Sequence, residues 1–355
     1  MTAREQFDAA LAALLTEAHD FGAAEATAAS QATLDALRSE NAVQAASLTV
    51  KDATIAAQAA EIARLTALLP PEPVDPWAGM LYGANDSHFG PLNAALGREL
   101  QVRRFYEAGW PSTPTQKMRD DWAAGRVPYV SFSGPSPATI NSGAHDAILA
   151  SFFKACKDRT LVSYIHEVDN GKAQPAEYVA ACTRIQRIKD ENAPDPRLVL
   201  HGPTLMGWAF TVGDYEKWIA PKVDFIGADP YNFVRPAGSP PSPKTGNLGR
   251  DRSMAYLLGT LPAFAKKRGV PIAIGEYGVH PDPARPSFKP DWLKATDATL
   301  RAAGCIAACY FHAPYGEDGP WWLDRQHTYV TDTTARATGT PDPESVAAFR
   351  SLIKH

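Results

Sequence analysis

The chain has 355 residues, 45% of them hydrophobic, 21% charged and 10% aromatic, which is enough apolar material for a large core. A formal charge of -4 argues against a nucleic-acid binder, because a polyanion would gain nothing from counterion release on such a surface. The apolar runs all stay short of the roughly 18 residues that a membrane span needs. Arg4, Glu5 and Asp8 precede only a short apolar patch, so no conventional signal peptide is expected.

Residues 1–69 are rich in alanine and contain a single glycine, Gly22, and no proline. Leu34, Asn41, Leu48, Ile55, Ile62 and Leu69 recur every seven residues, with Leu37 and Leu65 three residues after members of that ladder. A seven-residue apolar repeat predicts a helical coiled coil, and Asn41 is the kind of polar seam residue that fixes register and strand number. Phe7, Leu14 and Phe21 form an earlier ladder, one residue out of phase, with Gly22 at the break. Gln44, Lys51 and Gln58 make the seam thin, so the alternative is one amphipathic helix lying on its own molecule. The oligomeric reading is preferred, because so thin a stripe is poorly stable alone. "LLPPEPVDPW" (68–77) then stops the helix and predicts a stiff linker over 70–77.

Residues 78–355 alternate short strand-like runs with amphipathic helical runs. The strand candidates are "MLYGAND" (80–86), "LQVRRFY" (100–106), "VPYVSFSG" (127–134) and "TLVSYIHE" (160–167). They continue with "RLVLHGP" (197–203), "VDFIGADPYN" (223–232), "VPIAIGEYG" (270–278) and "CIAACYFHAP" (305–314). Helices are expected between them, over 145–157, 175–192, 253–269 and 290–304, and a last one over 343–355. Eight strand–helix units in a segment of this size predict a (β/α)8 barrel of the TIM type. "GANDSHFG" lacks the GxGxxG turn, which removes the main support for a dinucleotide fold. Cys156, Cys182, Cys305 and Cys309 form no CxxC pair and read as buried thiols, with one pairing left open.

Active sites of such barrels lie at the C-terminal ends of the strands. There the sequence collects Asn85, Asp86 and His88; Arg103, Arg104 and Tyr106; His166, Glu167, Asp169 and Asn170; and His201. Asp229, Tyr231 and Asn232, Glu276 and Tyr277, and His312 follow. Glu167 and Glu276 close the fourth and seventh strands. A carboxyl pair across a pocket is what retaining glycoside hydrolysis requires. Either glutamate alone would be read as a helix cap or an arginine partner; both together, with an arginine and a tyrosine near, favour chemistry. The nine histidines are scattered, no HExxH occurs, and no metal or other cofactor is expected.

This pattern resembles clan A of the glycoside hydrolases, and "HE" at 166–167 is similar to family 26, which includes β-mannanases. The likeness is to family 26-like proteins of actinobacteria and their phages. It runs through "VRRFYEAGWP" (102–111), "VSFSGPSPATINSGAHDAIL" (130–149), "YIHEVDNG" (164–171), "MGWAF" (206–210), "VDFIGADPYN" and "IAIGEYG" (272–278). The resemblance implies Glu167 as general acid/base and Glu276 as nucleophile. Arg103 is then the partner that keeps Glu276 ionised, and Tyr231 its hydrogen-bond donor. Arg103 and Arg104 alternate in direction, and the resemblance favours Arg103 inward.

His166 would border the sugar, or else hydrogen-bond to backbone. Trp208 is a sugar platform or a core residue; of Trp321 and Trp322, in a Gly- and Pro-bordered loop, at least one is expected to be a platform. Asn85, Asp86, His201, Asn232 and His312 are further candidates for hydroxyl contacts. "VDNGKAQP" follows the acid/base where mannanases of the family carry aromatics, so the sugar stays unassigned. The loop 233–253 is expected to border the cleft.

The expected function is a glycosidase acting on a wall or capsular polysaccharide. A coiled-coil stem, trimeric as such stems commonly are, together with the missing signal peptide suggests a phage tail or virion protein, which would also touch other tail proteins. The rival readings are a barrel that binds glycan without cleaving it and a barrel that is only a spacer.

Overall fold

The computed structural model describes residues 3–20, 24–68, 75–85, 88–234, 251–282, 285–313, 321–331 and 334–353. The chain divides into two compact units, Met1–Val74 and Asp75–His355.

The first unit holds α1 (Ala3–Asp20) and α2 (Ala24–Leu68). Forty-five residues of helix without a described break follow from the alanine content and the lack of proline and glycine. α1 packs against α2, and on the described side chains Phe7, Leu11 and Leu34 are the apolar groups drawn in, with Leu34 5% exposed. The rest of the ladder faces outward: Leu48, Ile55 and Ile62 are 60–64% exposed. Phe21 and Leu69 lie outside the described residues.

The second unit is a (β/α)8 barrel. In chain order it runs β1 (Leu81–Asn85), α3 (Phe89–Leu96), β2 (Val102–Glu107), α4 (Gln116–Ala123), β3 (Val127–Phe132), α5 (Pro137–Asn141), α6 (Asp146–Ala155) and β4 (Thr160–Tyr164). Then come α7 (Pro175–Asn192), β5 (Val199–His201), β6 (Thr204–Met206), α8 (Gly207–Val212), β7 (Ile226–Asp229) and β8 (Tyr231–Asn232). The chain ends with α9 (Met254–Leu258), α10 (Leu261–Arg268), β9 (Ile272–Val279), α11 (Phe288–Ala302), β10 (Cys305–Tyr310), β11 (Arg325–Thr331), β12 (Thr334–Pro341) and α12 (Pro343–Leu352).

The strands lie in the order β5-β4-β3-β2-β1-β10-β9-β7-β6, all parallel. β5 and β6 are two halves of one barrel strand, parted at Gly202 and Pro203. The ring closes there: Gly202 N–H donates to Val162 O at 3.1 Å, and Gly227 N–H to Pro203 O at 2.7 Å. A Cβ on Gly202 would sit 2.2 Å from Phe225 O, so closure requires glycine at that position.

Alternation along the strands sorts side chains into two layers. Val102, Val127, Tyr129, Leu161, Phe225, Ala273 and Ala307 fill the barrel, with Trp77 in the same cluster. Trp77 Nε1 donates to Arg197 O just before β5, which places the indole at the floor. Phe105, Phe132, Phe152, Tyr164 and Tyr178 pack between sheet and helices.

Three elements depart from expectation. The fourth strand stops at Tyr164, so His166 and Glu167 lie beyond it. The helix over 253–269 is two, α9 and α10, parted by Gly259 with φ 51° and by Pro262 in the first turn of α10. β11 and β12 form an antiparallel ribbon before α12 that the sequence reading lacks. Of the loop 233–253, residues 235–250 lie outside the described residues.

Candidate active site

Two backbone irregularities bring the glutamates into the mouth of the barrel. On β9, Ile274 and Tyr277 both face the helical layer, an odd spacing for a strand. The pairing explains it: Ala308 and Tyr310 of β10 stand opposite Ile274 and Tyr277, so β9 carries one extra residue. This β-bulge turns Glu276 inward, where strict alternation would have pointed it at the helices. Gly275 lies at the same place because a Cβ there would meet Asp229 Oδ1 at 2.7 Å.

After β4, Ile165 and Glu167 adopt φ of 46° and 52°. Left-handed backbone is unfavourable for non-glycine residues, most of all for β-branched isoleucine, and costs about 1–3 kcal/mol at each. Surrounding bonds hold it: Ile165 N–H donates to Phe132 O at 2.9 Å, Glu167 N–H to Thr204 O at 2.7 Å, and Asn170 N–H to Glu167 O at 3.0 Å. Asp169 Oδ1 accepts from Met206 N–H at 3.0 Å and ties this turn to β6.

Carboxylate oxygens of Glu167, Glu276 and Asp229 all lie within 4.8 Å of one another. Glu276 accepts a hydrogen bond on each oxygen, from Tyr106 Oη and from Tyr231 Oη, both at 2.5 Å. Burial and the Glu276 charge drive both phenols well above their ordinary range, so they remain donors. Burial, then the Glu276 charge, pushes Glu167 up to about 7, with Lys172 opposing. Asp229, fully enclosed, is raised well above the carboxylate range by burial and by both glutamates, which favours its protonated form.

Arg104, not Arg103, is the inward arginine, and this corrects the sequence expectation. Arg104 is completely buried, its guanidinium 4.6 Å from the Tyr106 ring and 4.4 Å from that of Tyr129, within the fields of Asp229 and Glu276. Arg103 points into the helical layer and pairs with Asp121 of α4 at 2.9 Å. Alternation along β2 agrees: Phe105 belongs to the sheet–helix core, which puts Arg103 on the same side, and Val102 fills the barrel on the side of Arg104.

The other candidates separate. His166 is at the site, its ring 4.9 Å from that of Tyr106, and burial pulls it down to about 2, so it is neutral. Asn85 is buried opposite Arg104 in the β1–β2 register. Trp208 is 40% exposed at the start of α8, which rules out core packing. Trp321 and Trp322 are 4% and 7% exposed, so the expected open platform in that loop is not found. Trp321 is stacked on His280 at 4.0 Å and lies 4.8 Å from Tyr231; Trp322 packs on His88 and His312. Both are pinned because Trp321 N–H donates to Ala313 O and buried Lys289 donates to Trp322 O.

His201 is misplaced by the sequence reading: its Nδ1 meets Gln186 of α7 and its N–H donates to Asp224, on the helical side of the sheet. Asn232 spends its carbonyl oxygen on Arg252 N–H, and His312 Nδ1 accepts from Leu323 N–H, so both brace loops. Asp86 lies outside the described residues. Tyr106, Arg104 and Asp229 stand among the polar groups that the sequence collects at the strand ends but were given no role there; Tyr106 follows from Arg104 by strand alternation, whereas Asp229 was one of several polar groups at its strand end.

Among the described residues, Glu167, Asp229 and Glu276 form a group of three ligand-type side chains close enough to share an ion. The set does not suit one: a divalent ion would meet the buried Arg104 charge, and Glu276 is already engaged by two hydroxyls.

No family model and no curated protein matches the chain. Solved structures do. A xyloglucan-specific endo-β-1,4-glucanase of family GH5 from a metagenomic library matches with a TM-score of 0.50 at 11% identity, over 78% of this chain and 98% of that one. It shares its fold with this barrel. A GH26 β-mannanase from Bacteroides ovatus gives 0.48 at 13% identity, over 80% and 93% of the two chains. A ruminal GH26 endo-β-1,4-mannanase gives 0.46 at 15% identity, over 70% of this chain and 64% of its own, so just under two thirds of that enzyme is spanned. Identities this low speak to fold alone.

Proposed function

We propose that the chain is a retaining glycoside hydrolase that cuts within a cell-wall, capsular or related polysaccharide. Glu276 is the nucleophile and Glu167 the acid/base. The observation that carries this reading is the approach of the two carboxylates to within 4.8 Å, oxygen to oxygen. Retention calls for carboxyl groups about 5–5.5 Å apart, and inversion for about 6.5–9.5 Å.

In the first step a Glu276 oxygen bonds to the anomeric carbon as the glycosidic C–O bond breaks, and the Glu167 proton goes to the leaving oxygen. In the second, water bonds to that carbon, the ester to Glu276 breaks, and the water proton goes to Glu167. The pull of Glu167 up to about 7 supports its holding a proton at the start. Tyr106 and Tyr231 fix the attacking carboxylate, and Arg104 supports its charge. Trp208, exposed two residues after Met206, whose N–H Asp169 of the Glu167 turn accepts, offers its ring as a platform for sugar.

The test is a panel of purified wall and capsular polysaccharides, with reducing ends counted and the anomer of the first product followed by NMR. The parent should release sugar with retained configuration, and Glu167→Gln and Glu276→Ala should not. Equal release by Glu167→Gln refutes the assignment. Binding without release by parent and variants alike leaves the glycan-binding barrel.

For the first unit we infer a self-associating stem, three copies joined through the stripe from Asn41 to Leu69, and a place in a phage tail beside other tail proteins. The heptad spacing and the exposure of Leu48, Ile55 and Ile62 support association. Sedimentation of the full chain tests the stoichiometry, and proteomics of purified virions tests the location.

A further inference from the structure

We propose that Lys172 is a positioning residue for Glu167, a cation that holds its carboxylate form at the mouth of the barrel. The proposal rests on Glu167 as acid/base. The segment after β4 turns back on itself at Gly171, whose φ is 76°. Lys172 N–H donates to Val168 O at 3.2 Å, which fixes the return. From there Lys172 Nζ donates to His166 O at 2.9 Å and stands 3.6 Å from Glu167 Oε2. One ammonium thus grips the residue before the acid/base and its carboxylate together, across a turn with two left-handed residues.

The surroundings show why a cation matters there. Burial, Glu276 of β9 and Asp169 of the same turn all disfavour a charge on Glu167, while Asp229 of β7 beside it favours its own neutral form. His166 and Tyr106 beside it are neutral, and Arg104 lies deeper, against Asp229 and Glu276. Among the described residues, Lys172 is the cation within ion-pair distance of Glu167. Once the first step has moved the proton to the leaving oxygen, Glu276 is an ester and Glu167 a bare carboxylate. Lys172 stabilises that state and keeps Glu167 ready to take a proton from water.

Lys172 is 37% exposed, so replacing it opens no cavity. The experiment labels glutamate side-chain carboxyls with 13C and titrates them by NMR, with Glu167→Gln used to assign the Glu167 signal. In Lys172→Met that signal should titrate about half a unit to one unit higher than in the parent, and in Lys172→Arg within a few tenths of it. Once a cleaved glycan is known, the alkaline limb of kcat/KM should move the same way. An unmoved titration in Lys172→Met overturns the proposal, even where that variant melts earlier, since a merely structural tie would lower stability alone. Because the titration needs no substrate, it can fail while Glu167 remains the acid/base; activity in Glu167→Gln would instead remove the reading beneath it.

Discussion

Glu167 is expensive to bury and useful for the same reason. Its carboxyl goes from an ordinary 4.5 to about 7 on folding, chiefly because burial penalises the charge. The folded state therefore binds the proton more tightly than the unfolded one. The sign follows: stability is full below about pH 4.5, falls as pH rises towards 7, and is flat above, by about 3 kcal/mol in all. Glu167→Gln should then melt a few degrees above the parent at pH 8 and level with it at pH 4.5, read by calorimetry. With a cleaved glycan in hand, kcat/KM of the parent should fall above pH 7 as the acid ionises. The two arginines give a second contrast. Arg104→Met leaves Glu276 without its buried counter-charge and should lower kcat/KM a hundredfold or more, about 3 kcal/mol. Arg103→Met should cost about 1 kcal/mol of stability and leave kcat/KM unchanged, because Arg126 still pairs with Asp121 at 2.9 Å. The two-residue period showed that only one of the arginines faces inward; which one was decided by Phe105 lying in the sheet–helix core and Val102 in the barrel, and the resemblance pointed to the wrong neighbour.

The strands of the barrel show where periodicity suffices and where it fails. The eight strand segments and four of the helical stretches between them were legible because apolar periods of 2 and 3.6 residues are local properties of a chain, whereas short α3, α4 and α8 were not named. The bulge on β9 was not, since one extra residue in a strand leaves no mark on composition. Without it Glu276 would face the helices. Gly275→Ala probes that geometry: its Cβ would crowd buried Asp229 at 2.7 Å, so we expect a loss of about 1–3 kcal/mol and at least tenfold in kcat/KM. Gly90→Ala in α3, with open space around the new methyl, should change neither. The ribbon of β11 and β12 has its own signature in "TYVTDTTARATG" (328–339), rich in threonine and other strand formers, outside the eight strand–helix units. Trp321 and Trp322 are buried for a different reason: the rings that cover them include His280 and Tyr231 for Trp321 and His88 for Trp322, all distant in sequence.

The whole molecule joins units of opposite physical character. The barrel closes its own sheet and has two apolar layers of its own. In the single chain the long α2 exposes Leu48, Ile55 and Ile62, the stripe through which self-association is proposed. Residues 75–355 expressed alone should fold, sediment as a monomer and match the full chain in kcat/KM on soluble glycan; failure to fold would tie the units together. By itself the sequence determined the long helix, the barrel and the two segments that carry Glu167 and Glu276. Each follows from local periodicity, and parallel strands with helical crossovers leave few other arrangements. Tertiary structure alone decided that Asp229 joins the glutamates, that Tyr106 and Tyr231 both hold Glu276, and that Lys172 reaches back to Glu167. Those contacts depend on a bulge, a left-handed turn and the closure of the ring, none of which a stretch of sequence encodes until its distant partners are in place.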